Sequence, residues 1–241
     1  MLNIVQTRAG VRNAFRRPCR LFSIFALFLF LIAVFLAFPR QKACNPECVV
    51  LIGDSITSKW QGLTQTKQLF GLQIINRGIS GDFTAHMLSR FDHDVVQLHP
   101  RVVVILGGIN DIVRIPLPSI EQNLASMAET AEQHGIHVVL ATLPPTGKYD
   151  PDPDELSAAQ VSGHDEIISG HDEIQVLNNW IRNFANQKHY TLVDYHSALA
   201  DDRGYYLKGL TTDGVHPSIH GYERIEPLLR DAIQSAIHAG R

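Results

Sequence analysis

Apolar and polar positions follow two periods along this chain. Short runs rich in β-branched residues at 48–52, 73–76, 102–106, 137–142 and 191–194 read as strands, and the runs at 48–52 and 102–106 are apolar throughout, as strands buried on both faces are. Longer stretches between them, including 119–134 and 173–188, space their apolar residues three and four apart and read as amphipathic helices. Parallel strands need crossover connections, and helical crossovers cover the faces of the sheet they connect. The alternation therefore predicts a three-layer α/β domain with about five parallel strands.

The pattern breaks near the middle and at the start. Pro144, Pro145, Gly147, Pro151 and Pro153 punctuate 143–163, which is too long for an ordinary connection and is expected to lie over the strand ends as a rim or lid. A short tandem duplication follows: Ser162-Gly163-His164-Asp165-Glu166-Ile167 recurs as Ser169-Gly170-His171-Asp172-Glu173-Ile174. Two copies are too few and too short for a solenoid. Because Ile174 runs directly into a helical stretch, the second copy is expected to join the core and the first the loop.

At the start, 21–38 is an apolar run in which Ser23 is the only polar residue. A helix of that length spans roughly 27 Å, close to the ~30 Å hydrocarbon core of a bilayer. No small-x-small cleavage site follows it, so an uncleaved anchor is expected, with a cleaved secretory signal as the alternative. The arginines before the run place the N-terminus in the cytoplasm and the rest of the chain outside it, periplasmic or extracellular. The expected organisation is thus a basic cytoplasmic segment 1–20, an anchor 21–38, a linker 39–47 and one domain 48–241.

Charge and cysteines refine this. Six of the 21 basic residues and none of the 24 acidic ones precede residue 41, leaving 15 against 24 and a charge of −9 on the remainder. That balance excludes a nucleic-acid partner. Cys44 and Cys48 would lie just beyond the membrane, where an oxidising compartment allows a disulfide, while Cys19 would stay on the cytoplasmic side.

Four segments carry candidate chemistry, and each follows an expected strand. Gly53-Asp54-Ser55-Ile56-Thr57 puts a serine past a strand end at a helix start, where unpaired N–H groups can stabilise a developing anion. By itself such a serine is more often only a cap. Asp213-Gly214-Val215-His216 places an acid and an imidazole three apart on one loop, so the carboxylate can hold one ring N–H and leave the other nitrogen free to take a serine proton. Gly107-Gly108-Ile109-Asn110-Asp111 delivers an amide to the same sheet edge, where acyl transfer needs oxyanion donors. Asn76-Arg77-Gly78-Ile79-Ser80-Gly81-Asp82 can aim the Gly81 N–H at that spot. No Gly-x-Ser-x-Gly elbow of the α/β-hydrolase kind is present.

Taken in order, these four blocks resemble the signature of the SGNH, or GDSL-type, hydrolase superfamily over roughly 49–237. The resemblance implies a flavodoxin-like fold, Ser55 as nucleophile, Asp213 and His216 as its triad partners, and Ser55 N–H, Gly81 N–H and the Asn110 amide as oxyanion hole. The 76–82 stretch and Trp60 are most similar to bacterial relatives of platelet-activating-factor acetylhydrolase and of lysophospholipase-type esterases. The expected activity is hydrolysis of short-chain, acetyl-type esters of a small sugar or lipid-like acceptor, with no cofactor and no metal. Lysophospholipase or thioesterase activity on longer chains is the alternative. A remote one is a metal-binding module using His164, Asp165, His171 and Asp172, although Gly163 and Gly170 weaken the helix that would stack the histidines.

Overall fold

Strands β1 (Cys48–Gly53), β2 (Gln68–Leu69), β3 (Leu72–Gly78), β4 (Val102–Leu106), β5 (His137–Ala141) and β6 (Thr191–Val193) form one sheet in the order β2-β3-β1-β4-β5-β6. The computed structural model describes residues 48–60, 68–69, 72–147, 167 and 169–239. The five longer strands are parallel, with β1 between β3 and β4, pairing Val50 with Ile75 on one side and with Val103 on the other. Both central strands are buried along their whole length, which is why their sequences carry no polar alternation. The two-residue β2 pairs antiparallel at the edge and had no periodic signal of its own.

The helices are α1 (Ser55–Ser58), α2 (Thr84–Asp94), α3 (Leu117–Gln133), α4 (His171–Lys188), α5 (Tyr195–Leu199) and α6 (Ile219–Ala239). Packing runs from α2 to α3 to α4, and these lie on strands β1, β4, β5 and β6. The longest helix, α6, packs on β4, β5 and β6 and against α5. Its buried stripe, Ile225, Leu229, Ala232, Ile233 and Ala236, has the three- and four-residue spacing of an amphipathic helix. Full burial of each Ile or Leu in such a stripe is worth about 1.5–3 kcal/mol relative to exposure.

The chain divides into Met1–Arg40 and Gln41–Arg241, and all described residues belong to the second unit. Among the described residues no helix is long and apolar enough to cross a membrane. The run at 21–38, the linker, Cys19 and Cys44 lie outside them. Cys48, fully buried at the start of β1, is disulfide-bonded.

The rim segment is described only to Gly147, and its start is pinned by the buried Asn178, whose amide bonds both N–H and C=O of Leu143. Helix α4 begins at His171, so the second repeat copy does enter the core, through Ile174. The first copy corrects the expectation at one residue. Ile167 is buried too, and Gly170 N–H bonds its carbonyl, so this copy is not purely loop.

Candidate active site

Three of the four candidate segments leave the carboxyl ends of neighbouring strands. Ser55 follows β1, Gly81 follows β3 and Asn110 follows β4, so they meet where the strand order reverses, the place where open α/β sheets bind ligands. Ser55 is the first residue of α1, and the helix cap is Asp54, whose Oδ1 accepts from Ile56 N at 2.8 Å. The Ser55 N–H is one of the first-turn amides that have no acceptor within the helix. Close approach of α1 to β3 depends on Gly78, where a Cβ would run into the backbone nitrogen of Ser58.

The fourth segment is a loop that organises itself before it meets the serine. Thr211 Oγ1 donates to His216 O at 2.8 Å and accepts from Gly214 N at 2.9 Å. Asp213 Oδ1 accepts from Val215 N and His216 N, and Oδ2 lies 2.7 Å from His216 Nδ1. Burial works to raise the Asp213 carboxyl, but the bonds from the His216 ring and backbone and from Val215 outweigh it and hold the group well below the usual carboxylate range. Asp213 is therefore an anion that fixes a proton on Nδ1. The other nitrogen, Nε2, lies 2.7 Å from Ser55 Oγ, a contact between residues 161 apart in the chain. Such an arrangement lets the imidazole take the hydroxyl proton as the oxygen attacks.

Aromatic residues brace both sides. Tyr206 Oη donates to Val215 O at 3.0 Å, and Gly147 N donates to Gly214 O at 3.1 Å. Tyr222 Oη donates to Ile56 O at 2.8 Å, tying α6 to α1, and the buried Trp60 packs between Tyr195 and Tyr222.

A second carboxyl sits close by in the opposite state. Asp54 is fully buried, and burial pushes it up to about 7 against the pull of the Ile56 N–H and His216, with Asp111 and Asp82 adding to the rise. Its Oδ2 is buried without a hydrogen-bond partner among the described residues. Two acids with environments this different divide the work: Asp213 is the permanent anion at the imidazole, and Asp54 is a neutral cap through mildly acidic pH.

On the donor side, Gly81 adopts φ +78°, in the left-handed region that favours glycine. The Asn110 amide donates one hydrogen to Asp82 O at 3.0 Å, and Ile79 N bonds Gly53 O, so the segments after β1, β3 and β4 are linked. Asp111 turns inward to cap α2, accepting from Thr84 N and, at 2.6 Å, from Thr84 Oγ1; burial raises this carboxyl in spite of those bonds.

The model of the GDSL-like lipase/acylhydrolase family matches residues 51–224, a span that contains all four segments. The chain belongs to that family. By family it is thus a GDSL-type hydrolase. Esterase TesA of Pseudomonas aeruginosa is 32% identical over 117 residues, a match covering 44% of this chain. The match spans only 58% of TesA's own length. Among solved structures, a GDSL-like lipase of Bacteroides thetaiotaomicron is 27% identical with a TM-score of 0.65, over 90% of this chain and all of the other. An acetylxylan esterase from Geobacillus stearothermophilus, 21% identical with a TM-score of 0.58 over 81% of this chain and 95% of its own, shares the fold.

Of the residues of the metal alternative, only His171 and Asp172 of this GDSL hydrolase are described. His171 stacks on Tyr205 with ring centroids 4.1 Å apart and pairs with Arg203 O, while His164 and Asp165 lie outside the described residues. Thr211, Tyr206 and Tyr222 are supporting residues that sequence reasoning missed. Only Thr211 had a local signal, a threonine two residues before the acid in a turn.

Proposed function

We propose that the protein is a serine esterase that hydrolyses short-chain, acetyl-type esters through Ser55, His216 and Asp213. The observation that carries this reading is the continuous relay from Ser55 Oγ to His216 Nε2 and from His216 Nδ1 to Asp213, each step 2.7 Å. Ser55 Oγ attacks the ester carbonyl as its proton passes to His216 Nε2, and the oxyanion is held by Ser55 N–H, Gly81 N–H and the Asn110 amide. Collapse of the tetrahedral adduct expels the alcohol, which takes the proton from His216. Water, deprotonated by the same nitrogen, then attacks the acyl-enzyme and frees the acid and Ser55.

The short-acyl preference rests on composition. The segment 143–163 is rich in Pro and Asp and offers little apolar lining, whereas selection for a long chain relies on about 0.8 kcal/mol per buried CH₂. A longer-chain reading has one observation in its favour: Ile79 and Ile219, in the segments next to Gly81 and His216, are 50% and 75% exposed. The kcat/KM for p-nitrophenyl esters from two to sixteen carbons is expected to peak at two to four. A value that climbs beyond eight carbons favours a lysophospholipase or thioesterase instead.

We also infer that 21–38 anchors the chain with its hydrolase domain outside the cytoplasm. The disulfide at Cys48 supports an oxidising compartment. Full-length protein should sediment with membranes, and protease added from the non-cytoplasmic side should digest the domain. Recovery of mature chains lacking 1–40 would establish a cleaved signal.

A further inference from the structure

We propose that Arg90 is the positioning residue of the oxyanion hole, its guanidinium joining the strand-end segments that carry Ser55, Gly81 and Asn110. The proposal rests on the hydrolase reading above. Arg90 projects from α2 with only 16% of its side chain exposed, and its guanidinium donates four hydrogen bonds among the described residues and ion-pairs with Asp82 and Asp94. Nε and Nη2 both reach Asp82 Oδ2, at 2.9 and 2.8 Å. Nη1 donates to Arg77 O at 2.9 Å and to Asp94 Oδ2 at 2.7 Å. Nη2 also donates to Gly53 O at 3.2 Å.

Three of the four acceptor residues, Gly53, Arg77 and Asp82, lead to oxyanion donors, while Asp94 holds the guanidinium from its own helix. Gly53 lies two residues before Ser55 at the end of β1, and its carbonyl also receives Ile79 N at 3.0 Å. Arg77 lies at the end of β3, where the chain turns toward Gly81. Asp82 is the junction. Its N–H closes the turn on Ile79 O at 3.1 Å around the left-handed Gly81, and its carbonyl receives one hydrogen of the Asn110 amide at 3.0 Å, fixing the plane of the other. One cation thus spans β1 and β3 directly and reaches the β4 segment through Asp82.

Arginine suits this place because its donors form a rigid planar fork, whereas a lysine ammonium has three donors at one point and cannot meet acceptors so spread. Oxyanion donors act by being in place before charge develops, so small displacements cost rate rather than substrate affinity. Arg90 touches no reacting atom, and its contribution passes through Asp82 and the two carbonyls.

The test is steady-state hydrolysis of p-nitrophenyl acetate by the full chain carrying Arg90→Lys, Arg90→Gln or Asp82→Asn, with circular dichroism as the check on folding. Expected is a fall in kcat of roughly ten- to a hundredfold in each, with little change in KM. Arg90→Gln combined with Asn110→Ala should lose less than the product of the two single losses, since both disturb one set of donors. Wild-type kcat in folded Arg90→Gln, a raised KM with kcat unchanged, or strictly multiplicative losses would each overturn the proposal. If the Arg90 variants do not fold, Asp82→Asn decides alone: a lowered kcat supports the proposal and an unchanged one overturns it. A serine-directed phosphonate separates this from the parent reading. Labelled Ser55 beside an unaffected Arg90→Gln ends only the Arg90 proposal, whereas unlabelled Ser55 ends the hydrolase reading.

Discussion

Ser55→Ala is expected to abolish ester hydrolysis, with a loss on the order of 10⁴ or more in kcat, while the domain stays folded. The size follows from the roles: without Oγ there is no acyl-enzyme, and His216 has no proton to take. The intact fold follows from where Ser55 is held. The cap of α1 is the Asp54 side chain, and the bonds from Lys59 N and Ser58 Oγ go to the Ser55 carbonyl, which alanine keeps. In the wild-type protein a serine-directed phosphonate should label Ser55 alone, although Thr57 and Ser58 are close by, because only Ser55 has His216 Nε2 at its oxygen. Peptide mapping reads the result, and adduct on any other residue would sink the assignment.

Asp54→Asn is expected to change stability in a pH-dependent way. In the unfolded chain this carboxyl ionises near its ordinary 3.8, but in the folded protein burial holds it protonated up to about 7. Between those values the unfolded state binds fewer protons than the native one, so stability is lost as pH rises and the loss is complete above about 7. The cost to the native state reaches up to about 4 kcal/mol at pH 8. Asparagine keeps the cap to Ile56 N and does not titrate. Urea unfolding at pH 4 and pH 8 should therefore show the difference between variant and wild type moving in the variant's favour as pH rises. An equal difference at both pH values would mean that Asp54 titrates like an exposed acid.

The parts that sequence alone made legible are those with a local signature. All five parallel strands lie within two residues of where their β-branched runs place them, most plainly β1 and β4, whose burial on both faces leaves continuous apolar stretches that little else explains. The triad candidates could be read because Asp213 and His216 share one loop and Ser55 ends a buried strand. Arg90 could not: on α2 it looks like an ordinary charge on an amphipathic helix, and its acceptors at Asp82, Arg77 and Gly53 are 8, 13 and 37 residues away. Asp54 and Asp111 share that limit, since their burial depends on elements that meet only in the folded domain. Ile167 shows the same thing for the repeat: the second copy opens a helix, and Ile167 of the first is buried in the core without any local pattern to announce it.

The self-organised loop at 211–218 divides the proposed catalytic machinery into two halves, each fastened on its own. The half holding Asp213 and His216 is fastened by Thr211, Tyr206 and Gly147, and the half holding Ser55 by Asp54, Gly78 and Arg90. Between the proposed reacting groups, Ser55 and His216 meet at a hydrogen bond of 2.7 Å. In the proposed cycle acylation removes that bond and leaves those of Thr211, Tyr206 and Gly147 in place, so the acid and imidazole keep their alignment while the serine is occupied. A water molecule that enters between the serine and the imidazole finds the base already aimed, and the second half of the cycle begins from the geometry that ended the first.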